Sequence, residues 1–127
     1  MDTKRVVVKV GTNVLTNRDN RILGPVIKEL VRQISVLYER NIMVILVSSG
    51  AAIAGKEVLG DTKIKDPSIR RQVYSAIGQP RMMRHYYSIF HDYGMRCAQV
   101  LATKRDFDIG KHRQNMINCY EGLLSEG

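Results

Sequence analysis

Ile42-Met43-Val44-Ile45-Leu46-Val47, running into Ser48-Ser49-Gly50-Ala51, is the stretch on which the fold turns. Six consecutive apolar side chains put hydrophobic groups on both faces of an extended chain. Such a run is the mark of a central strand in a parallel sheet, where helices cover both sides. Upstream, Pro25 suits the first turn of a helix. After it, Ile27, Leu30, Val31, Ile34, Leu37 and Tyr38 recur every three or four residues, with Lys28, Glu29, Arg32, Glu39 and Arg40 between them. That periodicity predicts an amphipathic helix over 25–40. Further upstream, Val6-Val7-Val8-Lys9-Val10 is short and β-branched and reads as another strand, ending at Gly11. The polar stretch from Thr12 to Gly24 reads as a loop or loose hairpin. Strand, helix and strand in this order predict a right-handed βαβ unit.

Downstream, Ala51-Ala52-Ile53-Ala54-Gly55 reads as the start of a small-residue helix. Asp66-Pro67 reads as a helix cap with proline at the first position. Ile69, Val73, Ala76 and Ile77 stripe that helix, which is expected to end at Gly78. Pro80 is expected to open a separate helix with Met82, Met83, Tyr86, Tyr87 and Phe90 inward, ending at Gly94. Arg96 to Leu101 reads as a third strand. Met116, Ile117, Tyr120, Leu123 and Leu124 stripe a last helix that stops at Gly127. Three strands fall short of the roughly five or six in an average sheet. The expectation is therefore a part of a larger protein, or a chain that needs partners to cover its sheet.

At 127 residues, one domain is the most the length supports. An apolar fraction of 44% with 25% charged residues is that of a soluble globular chain and argues against disorder. The six-residue apolar run is about a third of the roughly 18 residues a membrane span needs. No apolar segment follows Met1-Asp2-Thr3-Lys4-Arg5, which speaks against a secretory leader. Cys97 and Cys119 lie 22 residues apart without a CxxC pair. They read as reduced packing thiols of a cytoplasmic protein rather than a disulfide framework or zinc site. His85, His91 and His112 have no partners at metal-binding spacing and read as surface or helix-end residues. The net charge of +8 is dispersed, with no long basic block and no interleaved aromatics, so a nucleic-acid partner is disfavoured.

In open α/β sheets, ligands bind beyond the carboxyl ends of the strands. Two strands here end in glycine turns, Lys9-Val10-Gly11-Thr12-Asn13 and Ser48-Ser49-Gly50-Ala51. Side by side, such turns make a cradle for phosphate or carboxylate, because glycine admits a ligand close to the backbone and helix N-termini offer free N–H groups. Lys9 sits in an apolar strand, where it meets an anion or else snorkels from an edge. The residues alone leave both readings open. GxxxxGK[ST], GxGxxG and GxSxG are all absent.

Val7-Val8-Lys9-Val10-Gly11-Thr12-Asn13-Val14-Leu15-Thr16 resembles the opening of the amino-acid kinase family. Val47-Ser48-Ser49-Gly50-Ala51, Ala76-Ile77-Gly78-Gln79, Gln99-Val100-Leu101-Ala102-Thr103 and Asn115 resemble later segments in the same order. KVGTN with SSGA is closer to the glutamate 5-kinase branch than to the carbamate, aspartate, acetylglutamate or uridylate kinases. The resemblance covers nearly the whole chain. It implies an α/β fold, a three-layer αβα sandwich with a mainly parallel sheet, of which residues 1–127 are the N-terminal part of a single domain. It also implies ATP-dependent phosphorylation of the side-chain carboxylate of L-glutamate, the first step toward proline; open strand edges and the apolar helix stripes separately predict a homo-oligomer. By the same resemblance Lys9 is the catalytic cation. Lys9, Gly11, Thr12 and Gly50 would hold ATP phosphates, and Ser49 and Gly50 would lie at the glutamate. Mg²⁺ would be bound mainly through ATP.

The chain departs from the family pattern in places. The family typically has isoleucine or valine where Ala52 sits and alanine where Ile53 sits, and Pro80 is unusual after Gly-Gln. The sequence also stops before the family's asparagine- and aspartate-rich glutamate segment, the nucleotide-binding half with its second lysine, and the RNA-modification-type C-terminal domain. Residues 1–127 alone are therefore expected to be inactive. The alternative is a non-catalytic, oligomerising α/β module derived from the family.

Overall fold

The two β-branched runs pair in parallel. β1 (Arg5–Val10) lies beside β2 (Met43–Ser48), in register from Arg5 opposite Met43 to Val10 opposite Ser48. Between them the chain forms α1 (Thr12–Leu15), an isolated antiparallel bridge from Thr16 to Ile22, and α2 (Gly24–Glu39). The loose hairpin expected before α2 is thus present, with a short helix ahead of it. Pro25 stands in the first turn of α2, where a missing N–H leaves no bond unmade. Ile27, Val31 and Ile34 are buried along its expected stripe, and Leu15 is fully buried beneath the hairpin. The computed structural model describes residues 4–127, so the reading of Met1-Asp2-Thr3 lies outside the described residues. The fold is α/β. It divides into two compact units, one running to Met95 and the other Arg96–Gly127.

Two helices complete the first unit, α3 (Ala51–Leu59) and α4 (Pro67–Asp92). Asp66 caps α4, its carboxylate accepting from the Ser68 and Ile69 N–H groups at 2.8 and 3.0 Å. α4 corrects the expectation of two helices, because it runs unbroken for 26 residues through both Gly78 and Pro80. The reason is packing. Tyr74, Gly78, Met82, Tyr86 and Phe90 are buried at strict four-residue spacing. Gly78 is where α4 crosses α3: a Cβ there would overlap the Ala51 carbonyl and the Gly55 nitrogen. Gly55 meets the Tyr74 backbone in the same way. Two glycines let two backbones touch, and this contact outweighs the roughly 3 kcal/mol cost of an interior proline. The buried line is also offset from the expected one, since Ile69 and Tyr87 are exposed.

The sheet departs from expectation in two ways. Val7 is 62% exposed and Val47 47%, so helices do not cover both faces. Among the described residues they pack chiefly on one another, with α2 reaching β2 and α4. The third strand expected at Arg96–Leu101 is absent, since residues 96–103 form no regular element among the described residues. A β-prone sequence becomes a strand only where a neighbour supplies the ladder.

The second unit holds a single turn of 3₁₀-helix, Lys104–Phe107, and α5 (Lys111–Ser125). Asp106 accepts from the Thr103 N–H at 2.7 Å and its hydroxyl at 2.8 Å, and those bonds hold its carboxyl below the usual range. α5 buries no side chain. Cys97 is half-buried, which pushes its thiol up, but Cys119 is exposed and so is not a packing thiol. No helix among the described residues is long and apolar enough to cross a membrane.

Candidate functional site

Parallel pairing brings the carboxyl ends of β1 and β2 to the same edge of the sheet. The Ser49 N–H donates to the Val10 carbonyl at 2.9 Å, so the two glycine turns leave the sheet side by side. They differ in conformation. Gly11 caps α1 with φ −80° and ψ 162°, ordinary extended backbone. Gly50 caps α3 with φ +111°, in the region that favours glycine. A Cβ there would make ordinary contact with its neighbours, 3.4 Å from Ile22 Cδ1 and 3.5 Å from Met82 Cε.

A cleft of about 240 Å³ opens at these turns. Thr12, Ser48, Ser49 and Gly50 line it from the turns, residues 51–53 from the first turn of α3, and Arg71 and Ser75 from α4. No side chain caps α3, so its leading N–H groups are free of intrahelical acceptors. Arg71 is the only charged side chain in this lining. The lining thus combines hydroxyl-bearing residues, the N-terminal end of α3 and one arginine, a composition that suits a phosphate or carboxylate.

The surroundings hold the second turn in place. Glu57 of α3 accepts from the Ile22 N–H of the hairpin and pairs with Arg81 of α4 at 3.2 Å. Tyr74 OH reaches the Gly60 carbonyl at 2.9 Å, beyond the end of α3. Tyr86, 4% exposed, puts its hydroxyl 2.6 Å from Ser48 Oγ. Burial raises the Tyr86 phenol above its ordinary value, with the Ser48 bond opposing in part.

Of the residues expected at the site, Thr12, Ser49 and Gly50 line the cleft. Lys9 and Gly11 do not; they stand beside it, at and just past the end of β1. Lys9 lies opposite Val47 and is exposed. Lys9 therefore carries no burial cost that an anion would have to offset. Arg71 and Ser75 were not expected here. Their four-residue spacing puts them on one helix face. What brings that face to the cleft is the Gly55–Gly78 crossing, which no local pattern announces.

Comparison with known proteins decides the family. Residues 4–127 match the amino acid kinase family model. The chain belongs to the amino acid kinase family. Several relatives bear the name glutamate 5-kinase. That of Bacteroides thetaiotaomicron is 37% identical over 97% of the chain, and that of Chlorobaculum tepidum 40% over 97%. That of Alkaliphilus metalliredigens is 37% identical over 98%. The chain spans only 34% of the first two proteins and 47% of the third. Among the described residues of this amino acid kinase chain, no cluster of three or more His, Cys, Asp or Glu forms a metal site.

Proposed function

We propose that this chain is the phosphate-holding part of an enzyme that phosphorylates the side-chain carboxylate of L-glutamate with ATP. The observation that carries the reading is the cleft where two glycine turns meet at the carboxyl ends of parallel strands. The name shared by the relatives supports the choice of glutamate. The chemistry is economical. A glutamate carboxylate ionises near pH 4.3, so at neutral pH it is already a nucleophile and needs no general base. One carboxylate oxygen bonds to the γ-phosphorus as the bond to the β–γ bridging oxygen breaks, and ADP leaves with that electron pair. ATP supplies the phosphoryl group; the protein supplies position and positive charge.

In this reading Lys9 stabilises charge on the transferring group. Gly11, Thr12 and the Gly50 N–H bind ATP phosphates, Ser49 and Gly50 lie at the glutamate, and Arg71 faces the second anionic group in the cleft. The lining holds no carboxylate among the described residues, so it suits an anion rather than a hard cation. Mg²⁺ accordingly enters on the nucleotide's phosphates, and no residue of this chain is assigned to it. A cytoplasmic location belongs to the same reading. A coupled assay of ADP release with glutamate, ATP and Mg²⁺ tests it. We expect turnover from the full-length protein and none from residues 1–127 alone. Full-length protein that consumes ATP without regard to glutamate would overturn the reading.

A second feature favours self-association. Val7, Val47, Leu101, Phe107 and Ile109 are all exposed, the last at 94%. Open strand edges and exposed apolar side chains invite contact with another copy. Light scattering is expected to give a dimer or larger species. A stable monomer of 14.4 kDa would remove both the homo-oligomer and the non-catalytic oligomerising module from consideration.

A further inference from the structure

Three consecutive peptide groups carry the chain from β2 into α3, and they are not held alike. The Ser48–Ser49 peptide is fixed by the sheet, through the Ser49 N–H on the Val10 carbonyl at 2.9 Å. The Gly50–Ala51 peptide is fixed by the helix, because the Gly50 carbonyl accepts from the Ala54 N–H at 2.9 Å. The Ser49–Gly50 peptide between them belongs to neither. Its N–H donates to no backbone carbonyl among the described residues. Its carbonyl accepts from Ser48 Oγ at 3.0 Å. With glycine at φ +111° on one side, rotation of that peptide meets little steric resistance.

The Ser48 hydroxyl has one hydrogen, and it goes to the Ser49 carbonyl. With that hydrogen on the Ser49 carbonyl, the 2.6 Å contact with Tyr86, in which either hydroxyl can donate, has the phenol O–H donating to Ser48 Oγ. Tyr86 is buried between Met82 and Phe90, its ring 6.3 Å from that of Phe90, and packing fixes the hydroxyl in place. The chain of bonds is Tyr86 O–H to Ser48 O–H to Ser49 carbonyl. In a planar trans peptide the carbonyl and the N–H point in opposite directions. Holding the Ser49 carbonyl on the Ser48 side therefore aims the Gly50 N–H the other way.

We propose that Tyr86 is a positioning residue that acts through Ser48 to fix the plane of the Ser49–Gly50 peptide, and so aims the Gly50 N–H at an anionic group in the cleft. The claim about aim toward a ligand rests on the phosphate-holding role proposed above. The claim about the peptide plane does not, and the two are tested separately.

The plane is read by residual dipolar couplings of the Gly50 N–H and the carbonyl ¹³C shift of Ser49, in this chain without ligand. In Tyr86→Phe both are expected to move toward averaged values, while amides elsewhere in α3 keep theirs. Ser48→Ala is expected to do the same, and it covers the case in which the buried variant fails to fold. Ser48→Thr keeps the hydroxyl and is expected to restore the native values. Native values in folded Tyr86→Phe or in Ser48→Ala would overturn the proposal.

Titration with inorganic phosphate, followed at the Gly50 amide, reads the aim. Loss of one oriented donor is expected to weaken binding about tenfold in Tyr86→Phe, with Ser48→Thr like the wild type. Equal phosphate affinity in wild type and Tyr86→Phe would show a purely structural tyrosine and overturn the positioning role. Phosphate binding by neither protein counts against the phosphate-holding reading, and the couplings then decide Tyr86.

Discussion

The turn after β1 and the turn after β2 look interchangeable as sequence, yet the structure treats them differently. Gly11 sits in extended backbone, with open space where a Cβ would go. Gly50 has φ +111°, and a Cβ there would touch Ile22, Met82 and Leu15 at ordinary contact distance. The first turn leads into a helix of four residues, the second into one of nine that lies directly on α4. Gly50 thus meets a conformational requirement that Gly11 does not. The first turn is packed through Leu15 of α1, which is fully buried, and the second through Gly55, Gly78, Glu57 and Tyr86.

The comparison breaks hardest at Gly78. Alanine is a better helix former than glycine by about 1 kcal/mol, so propensity alone predicts a gain for Gly78→Ala. Against that stands overlap of the new Cβ with the Ala51 carbonyl and the Gly55 nitrogen. These are backbone atoms, which cannot swing aside as a side chain does. The clash wins, and a loss of about 3 kcal/mol or more is expected in urea unfolding. A variant as stable as the parent would mean that α3 and α4 do not cross at these glycines.

Lys9 probes the first turn's side. On the proposed kinase reading, Lys9→Ala in the full-length protein is expected to lower turnover about a hundredfold, the usual cost of one electrostatic contact to a transferring group. Stability should hardly change, since Lys9 is exposed. Lys9→Arg should not rescue, because a planar fork does not replace a compact point charge. Near-normal turnover in Lys9→Ala would leave Lys9 as a solvated edge lysine and move the chemistry to the second turn.

Gly50→Ala is expected to cost about 1–2 kcal/mol, from the left-handed conformation. Its neighbours stand at ordinary contact distance and add little. A midpoint shift in urea without a change of slope would confirm that the fold alone is weakened.

The second turn is also held by a titrating group on α4, Tyr86, through its contact with Ser48. Burial keeps the Tyr86 phenol protonated in the fold beyond the ordinary value, whereas in the unfolded chain it ionises near pH 10. Above about pH 10 the folded state therefore binds more protons than the unfolded state, and stability falls as pH rises. Below that pH the contribution is fully present. Thermal unfolding at about pH 9 and about pH 11 should show a smaller alkaline loss in Tyr86→Phe than in the parent. Equal losses would mean that Tyr86 is no more protected than an exposed tyrosine.

What was legible in the sequence was whatever depends on neighbours along the chain. The strands at 6–10 and 42–47 and the helix at 25–40 lie within a residue of the observed β1, β2 and α2. The rule that parallel strands present their carboxyl ends together points to the two glycine turns, and the family resemblance to Thr12, Ser49 and Gly50, which line the cleft. What was not legible depends on contacts between distant residues. Gly78 and Pro80 are breakers by propensity, and only the crossing of α3 shows why the helix continues. Arg71 reaches the cleft through that same crossing. Arg96 to Leu101 has a strand's composition but pairs with no strand among the described residues, and composition does not supply a partner.

The smallest change in stability is expected at Gly11, and that makes it the sharpest test of the contrast. Gly11→Ala meets no atom within 4 Å and needs no unusual φ. Reduced freedom in the unfolded chain favours alanine by about 0.4–1 kcal/mol. Alanine is a poorer N-cap than glycine by a similar amount, so the terms nearly cancel. The thermal midpoint should stay where it is. Function should not, if the open space beside Gly11 is where a phosphate approaches the backbone. A methyl group there would hold the phosphate off, and turnover of the full-length enzyme should drop roughly tenfold or more, equivalent to about 1.4 kcal/mol of transition-state binding. Unchanged stability with lost turnover would show a glycine kept for the ligand alone. Unchanged stability with unchanged turnover would make the first turn simply the end of a strand, and leave the second to hold the phosphate by itself.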